Sequence, residues 1–292
     1  MAGINQIMSR GALPDGIPEK IARAAYHVFW GAARVSSIAV LLIAWEWLAR
    51  SGTFTPFQLP AFSRVLDRIW SDALSGDLAL NTGLTLYRAM AGFLIATVGG
   101  IALGMAMSRL RLARWFFDPI ISIGFPMPKI AFLPVVMLWL GVYDTSKITM
   151  IVFDAIFPVV AATVIAVQGV ERELLWSARN MGANEREILW QIVLPAALPQ
   201  IMTGLQVALP IALIVAVVAE MMMGGYGLGG AMMTASRFAD SRGVFAGIVE
   251  IAVVGYCLVK GMAMLRRVIA ANKRPARADL ESPAFDLRAA LK

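Results

Sequence analysis

Runs of apolar residues long enough to cross a lipid bilayer recur along this chain, and they constrain its fold more than any other feature. A helix needs about 20 largely apolar residues to cross the hydrocarbon layer, because each residue advances it by only about 1.5 Å. Of the 292 residues, 59% are hydrophobic and 15% are charged, whereas roughly a quarter are charged in a soluble domain. The chain is therefore predicted to be an all-α integral membrane protein.

Six segments of the chain are predicted to span the membrane as helices. They cover approximately residues 36–48, 90–107, 118–141, 148–167, 201–223 and 244–265. Tryptophan residues flank the first segment, as they commonly do where lipid meets water. In the second segment, Gly99, Gly100 and Gly104 are predicted to let a neighbouring helix approach closely.

The third segment contains prolines that predict both its start and its shape. Asp118 is a suitable N-cap, because its carboxylate can accept hydrogen bonds from free backbone amides, and Pro119 suits the first helical position. Pro126 and Pro128 each remove a backbone donor from the middle of the segment. The helix is therefore predicted to start at Asp118 and to kink near its middle.

Lysine and arginine residues cluster in every second connection between the predicted spans, so the clusters all fall on one side of the membrane. After the N-terminal segment, the clusters are Arg109, Arg111 and Arg114; Arg172, Arg179 and Arg186; and Arg266, Arg267, Lys273 and Arg274. Loops rich in these residues stay in the cytoplasm, so the clusters and both termini are predicted to be cytoplasmic. We therefore expect a cytoplasmic segment at 1–28, a membrane domain at 29–270 and a cytoplasmic tail at 271–292.

The composition argues against several other classes of function. The formal net charge is +7, but the basic residues lie beside apolar runs rather than in a stripe that would bind nucleic acid. A single cysteine, Cys257, and a single histidine, His27, exclude an internal disulfide and a multi-histidine metal site. The glycine-rich stretch at 224–230 lacks the lysine and hydroxyl residue of a P-loop, and no catalytic residues are predicted.

A polar connector between the fourth and fifth spans has the pattern of a folded structure. Residues 171–199 read ERELLWSARNMGANEREILWQIVLPAALP. Apolar residues recur at helical spacing up to Met181, Gly182 interrupts them, and a second apolar run continues to Pro195. The connector is predicted to be a short helix, a turn at Gly182 and a second helix that re-enters the membrane.

This connector resembles the cytoplasmic loop of the membrane subunits of binding-protein-dependent ABC importers. That loop carries the pattern E-A-A, three residues, G, nine residues, I-x-L-P. The same spacing is supplied here by Trp176, Ser177, Ala178, Gly182, Ile192, Leu194 and Pro195. Trp176 replaces the family's usual glutamate, and Glu173, one turn earlier, is a candidate to replace its charge.

The resemblance implies a fold and a set of partners. In this family the loop forms a coupling helix that docks on a separate ATPase subunit, which binds ATP and magnesium, so this chain needs no cofactor of its own. The expected contact residues are Trp176, Ser177, Ala178, Arg179, Gly182, Ala183, Ile192, Leu194 and Pro195. The small residues Ala178 and Gly182 are expected to let the helix seat closely.

The implied fold is that of a type I ABC importer permease in the bacterial inner membrane. The further partners implied are a periplasmic substrate-binding protein, membrane lipid and a second permease copy, in the simplest case as a homodimer. Four segments are similar to the branch that imports nitrate, sulfonate and taurine: residues 57–60, 86–93, 118–135 and 227–229. This similarity implies a small anionic solute. A permease for a pyrimidine precursor of thiamine, an ion-coupled secondary transporter and a membrane-embedded enzyme remain alternatives.

Ionisable residues inside the predicted spans are candidates for the translocation pathway, because a charge inside a membrane costs about 2.5–3.5 kcal/mol. The candidates are Lys129, Asp154, Glu220 and Glu250. Lys129 could neutralise an anionic solute, or it could form a structural ion pair with Asp154. Glu220 and Glu250 could line an outward vestibule, or they could pair with polar groups across the helix bundle.

Overall fold

The computed structural model describes residues 36–271. All regular structure in that range is helical, which confirms the all-α prediction. The predicted cytoplasmic segment at 1–28, with His27, and the predicted tail beyond residue 271 lie outside the described residues.

The first of two compact units ends at Leu66. Its main element, α1, covers the described residues 36–50. The Trp45 indole donates a hydrogen bond to the Pro60 carbonyl over 3.0 Å, and its ring lies 5.3 Å from the ring of Phe62. These contacts fold the segment that follows α1 back against the helix.

The second compact unit begins at Asp67 and holds the long helices. The elements are α2 (Phe62–Ser75, which starts in the first unit), α3 (Asp77–Arg109), α4 (Arg111–Gly124), α5 (Leu133–Leu140), α6 (Asp144–Gln168), α7 (Arg172–Asn180), α8 (Glu185–Glu187), α9 (Leu194–Met223), α10 (Leu228–Arg237) and α11 (Ser241–Ala271). A 3-10 turn, Lys129–Phe132, precedes α5, and a π-helical turn, Ile188–Val193, precedes α9. Helix α6 packs against both α3 and α9 and so occupies the centre of the bundle.

Four of the described helices are long and apolar enough to cross a membrane. They are α3, α6, the continuous run Glu185–Met223 and α11. These four match the second, fourth, fifth and sixth predicted spans. Helix α1 starts at the edge of the described residues, so the full count of six spans stays a prediction.

The start of the third predicted span was wrong. Helix α4 begins at Arg111, so Asp118 does not cap it and Pro119 lies inside the helix. The physical reason is the backbone of Leu110, whose extended conformation (φ −101°, ψ 115°) separates α4 from α3 and lets a new helix start at once. No glycine, proline or capping residue stands at Leu110 to mark this boundary.

The prolines predicted to kink the third span instead mark a sharp elbow. Helix α4 and the following Lys129–Leu140 segment are bent by 95° relative to each other. Pro126 and Pro128 lack backbone donors, and Pro128 has φ −73° and ψ 88°, which is outside the helical region. The elbow carries Lys129 into the interior, where the residue is only 6% exposed.

Small residues allow α3 and α6 to approach closely. A Cβ atom at Gly92, Gly100 or Gly104 would come within 2.5–2.7 Å of side-chain atoms of α6. A Cβ atom at Gly99 would meet an ordinary contact at 3.7 Å, so the predicted role of Gly99 was wrong. Because helical residues four apart share a face, the contact follows Gly92, Gly100 and Gly104 and bypasses Gly99.

Candidate functional site

Residues 171–195, named here the coupling segment, fold as the predicted helix, turn and second helix. Helix α7 ends in two backbone hydrogen bonds: the Ala183 amide donates to the Ala178 carbonyl, and the Gly182 amide donates to the Arg179 carbonyl, both over 3.0 Å. Gly182 has φ +84°, while a Cβ atom there would meet nothing within 4 Å. The backbone of the turn therefore requires this glycine.

The second helix of the coupling segment starts at a reciprocal cap. The Asn184 side chain accepts a hydrogen bond from the Glu187 amide, and the Glu187 carboxylate accepts one from the Asn184 amide, both over 2.9 Å. The helix then passes through the π-helical turn and continues into α9 with Pro195 in its first turn. The second helix of the coupling segment and the membrane helix α9 therefore form one continuous run, Glu185–Met223.

The two faces of α7 have different surroundings. Ala178 is 5% exposed and packs in the core of this chain, where its small side chain seats α7 against the bundle; its expected contact with an ATPase subunit stays a prediction. Trp176 and Met181 are 57% and 86% exposed. Ser177 and Arg179 are also exposed, while Ile192 and Leu194 pack partly against the core.

Glu185 ties the coupling segment to the end of α3. Its carboxylate lies 2.9 Å from the Arg179 guanidinium and 3.2 Å from the Arg109 guanidinium. Because Glu185 is 66% exposed, each pair contributes at most about 1 kcal/mol to stability. These pairs can therefore rearrange at little cost.

Lys129 forms the ion pair with Asp154 that the sequence left as one of two possibilities. Its Nζ atom lies 3.0 Å from Oδ1 of Asp154 and donates a hydrogen bond to the Phe125 carbonyl over 3.2 Å. The same ammonium lies 4.7 Å from the centre of the Phe157 ring. The buried Lys129 ammonium therefore holds the elbow before α5 against α6.

A cavity of about 290 Å³ opens beside this ion pair, between the elbow, α6 and α9. Its walls are Phe125, Lys129, Asp154, Pro158, Ile211, Ile214 and Val215. Two opposite charges therefore face each other in an otherwise apolar space. Phe125 and Ile214 are 52% and 61% exposed, so the cavity opens to the outside of this chain.

At the other end of the bundle, Glu220 is completely buried, with 0% exposure. The Arg88 guanidinium lies 2.6 Å from its Oε1 atom, and the Thr85 hydroxyl donates to Oε2 over 2.8 Å. The Gly229 amide donates to Oε2 over 3.1 Å. Glu220 therefore pairs across the bundle, as one of the two interpretations proposed, and it lines no open vestibule in this structure.

Two buried cations hold the glycine-rich segment at 224–230. Arg88 also contacts Asp144 over 2.8 Å and donates to the Tyr226 carbonyl over 2.6 Å. Lys147, which is 3% exposed, donates to the Gly224 carbonyl over 3.0 Å. The segment is therefore fixed to α3 and α6 by charged hydrogen bonds.

Close packing explains why glycine is needed in this segment. A Cβ atom at Gly227 would collide with the Glu220 carboxylate, and one at Gly229 would collide with the Val217 carbonyl. Gly227 also has φ +130°, a conformation that residues with a Cβ rarely adopt. The glycines thus let the backbone lie directly over the buried charge.

Glu250 lies apart from Glu220, on the wall of a cavity of about 460 Å³. Within the described residues, its Oε1 atom is buried and has no hydrogen-bond partner. The same cavity is lined by Arg68, which contacts Asp72 over 2.9 Å and Asp240 over 2.6 Å. Hydrogen bonding to Asp72 raises the pKa of the Arg68 guanidinium. The structure therefore places the candidate charges in three separate sites.

Residues 96–269, well over half of the chain, match the family model for the inner membrane component of binding-protein-dependent transport systems. This chain belongs to that family. It is 32% identical to the taurine transport system permease protein of Escherichia coli K12 over 238 residues, which are 80% of this chain and 86% of that protein. It is 31% identical to a putative aliphatic sulfonates transport permease of Bacillus subtilis 168 over 229 residues, 78% and 83% of the two chains.

Solved structures show the same fold. The inward-facing methionine ABC transporter MetNI matches with a TM-score of 0.59 at 17% identity, over 68% of this chain and 98% of that one. An amino acid ABC transporter with histidines matches with a TM-score of 0.56 at 14% identity, over 68% and 95%. The fold is therefore that of a type I ABC importer permease, as the sequence predicted.

The sequence interpretation missed four residues of the permease that hold its glycine-rich segment: Asn81, Thr85, Arg88 and Lys147. Each lies before the apolar run of its helix, so none was counted as a charged or polar group inside a span. Helix α3 begins at Asp77, well before the predicted start at residue 90, and this places Arg88 within the helix. The available signal was Glu220 itself, since a carboxylate inside a span needs a partner cation.

Proposed function

We propose that this permease is the membrane subunit of an ATP-driven ABC importer that moves a small sulfonate, taurine or nitrate-like solute from the periplasm to the cytoplasm by alternating access. Two separate ATPase subunits bind ATP and magnesium and close on the coupling segment. A periplasmic substrate-binding protein delivers the solute, and a second copy of this chain completes the pathway as a homodimer. The coupling segment and both termini face the cytoplasm.

The observation that carries this proposal is the apolar surface of α7. In α7, which lies outside the membrane spans, Leu174 and Trp176 are 46% and 57% exposed, and Met181, the residue that caps its C-terminal end, is 86% exposed. Apolar side chains gathered on one polar connector favour contact with another protein. Trp176 supplies a large apolar anchor of the kind that dominates protein interfaces.

The connections of the coupling segment support a mechanical role. The run Glu185–Met223 is one continuous helix, so a displacement of its first turn reaches α9 as a rigid-body movement. Glu185 links the same turn to α3 through Arg109. Helices α9 and α3 both pack on α6, which carries Asp154 on the wall of the cavity of about 290 Å³. Movement at the coupling segment can therefore open or close that cavity.

The solute class is supported by the relatives whose names specify taurine and aliphatic sulfonates. Lys129 is consistent with it, because a buried ammonium compensates the negative charge of a sulfonate in transit. The ATPase and the binding protein, rather than this chain, supply energy and most of the selection.

The test is uptake of labelled taurine into proteoliposomes that contain this permease, its ATPase and its binding protein. Replacing Gly182→Val forces a branched side chain into φ +84°, which costs roughly 1–2 kcal/mol of local strain. The turn should then distort, so that ATPase binding weakens about tenfold and uptake falls in parallel. Gly261→Val is the matched control, because a Cβ atom there meets nothing within 4 Å and its φ is not positive.

Two results would contradict the proposal. Uptake that continues at the same rate without the ATPase or without ATP would instead favour an ion-coupled secondary transporter. Labelling of residues 171–195 by an impermeant reagent added to intact cells would place the coupling segment on the wrong side of the membrane.

A further inference from the structure

The cavity of about 290 Å³ beside the elbow, named here the Lys129–Asp154 cavity, contains an ion pair whose two members differ in how many of their polar atoms have partners. The Lys129 side chain is 7% exposed and already contacts the Asp154 carboxylate, the Phe125 carbonyl and the Phe157 ring. Asp154 is 23% exposed, and among the described residues only Lys129 pairs with it, through Oδ1. The other carboxylate oxygen is therefore available to a hydrogen-bond donor that enters the cavity.

A simple anion does not fit this arrangement well. The Lys129 ammonium has three N–H groups, and it already faces the Asp154 carboxylate, the Phe125 carbonyl and the Phe157 ring. An anion that takes the place of Asp154 leaves a carboxylate without a cation among Pro158, Ile211 and Val215. Removing one partner from a buried ion pair is strongly unfavourable, because the remaining charge loses its compensation. A lone anion would therefore replace one ion pair with another and leave the Asp154 carboxylate without a cation.

A small zwitterion has no such penalty. Its anionic group can pair with Lys129 while its ammonium donates to Asp154, so that one ion pair becomes two and no charge is left alone. The cavity of about 290 Å³ is large compared with the roughly 30 Å³ that a water occupies in the liquid, so a short solute fits between the two side chains. The apolar walls then contact its methylene groups.

We infer that the Lys129–Asp154 cavity is a transit site for a small zwitterion, with an ammonium at one end and a sulfonate or carboxylate at the other, and that it discriminates against simple anions. This inference rests on the proposed import function and refines its solute class. Lys129 binds the acid group, and Asp154 is the residue that determines specificity for the amine.

The test measures binding to the purified complex of permease and ATPase, without the binding protein and without ATP. The thermal midpoint Tm is recorded with 2-aminoethanesulfonate, with ethanesulfonate, which lacks the amine, and with ethylamine, which lacks the acid. We expect a rise of about 3 °C or more with the zwitterion at a saturating concentration and no rise with the other two. A matching rise with 3-aminopropanoate would extend the class to carboxylates, and no rise would restrict it to sulfonates.

Variants locate the effect at the cavity. Asp154→Asn should abolish the rise with 2-aminoethanesulfonate, and Asp154→Glu, which keeps the charge, should retain part of it. Asp118→Asn is the matched control, since Asp118 is an exposed carboxylate of α4 outside this cavity. The comparison of the three solutes on the unaltered chain needs no variant, so a misfolded variant does not weaken the test.

An equal rise with ethanesulfonate, or no rise with either zwitterion, would overturn the inference. So would a rise that survives in Asp154→Asn. None of these outcomes bears on ATP-driven uptake, which the proteoliposome experiment measures separately. Loss of the ATP requirement there would overturn the proposed function whatever the binding result.

Discussion

Both ends of the helix bundle carry ion pairs, but the pairs differ in burial. In the coupling segment, Arg179 and Glu185 have side chains that are 50% and 66% exposed. At the glycine-rich end, the side chains of Arg88 and Glu220 are 5% and 0% exposed. An exposed pair contributes about 0–1 kcal/mol and rearranges easily, whereas a buried pair is costly to break. The ion pair of the coupling segment can therefore rearrange at little cost, whereas the ion pair at the glycine-rich end holds its groups in place.

This difference in burial fits the proposed coupling of residues 171–195 to an ATPase subunit. A segment that must follow the closure of a partner needs contacts that change at little cost. A loop held by Arg88 and Lys147 keeps its place relative to α3 and α6. If burial sets the strength of these ion pairs, the two ends of the bundle should differ in stability.

The largest effect is expected for Glu220→Ala. The change leaves the buried Arg88 without its closest carboxylate and removes the acceptor of Thr85 and Gly229, so the free energy of unfolding should fall by about 3–5 kcal/mol. Equilibrium unfolding in mixed micelles measures this loss. The control Glu173→Ala, on the exposed surface of α7, should stay within about 0.5 kcal/mol. Equal losses for the two variants would contradict the claim that stability depends more on the buried charges of the glycine-rich end than on the exposed charges of the coupling segment.

A smaller effect is expected for Gly227→Ala. The new methyl group collides with the Glu220 carboxylate and is strained at φ +130°, so a loss of roughly 2–3 kcal/mol is expected. Gly182→Ala in the coupling segment also has a positive φ but meets open space, so it should lose only about 1 kcal/mol. The same unfolding assay measures both losses of free energy, and their ratio compares how tightly the glycine-rich segment and the coupling segment are packed. A larger loss at Gly182 would reverse it.

The smallest effect is expected for the exposed pair. Replacing Arg179 and Glu185 by glutamine, singly and together, should give a coupling energy below about 1 kcal/mol that shrinks as salt is added. A double-mutant cycle of unfolding free energies measures it. A coupling of several kcal/mol that salt does not change would show that this end is as rigid as the other.

Much of this protein was determined by the sequence itself, because the responsible patterns are local. The lengths of the apolar runs predicted four helices that the structure describes, since helix length and bilayer thickness alone set that pattern. Gly182 predicted the turn of the coupling segment, because a positive φ is a property of one residue and its neighbours. The motif around it also identified the family.

Only the tertiary structure decided which residues meet. Arg88 and Glu220 are 132 positions apart, and the rotation of each helix about its axis determines whether they face each other. The same rotation selected Gly92 over Gly99 at the contact with α6, and it buried Ala178 against the bundle. The 95° elbow likewise depends on how α4 and the segment after it pack. Apolar content along the chain carries no information on these rotations, because a membrane span can be apolar on every side.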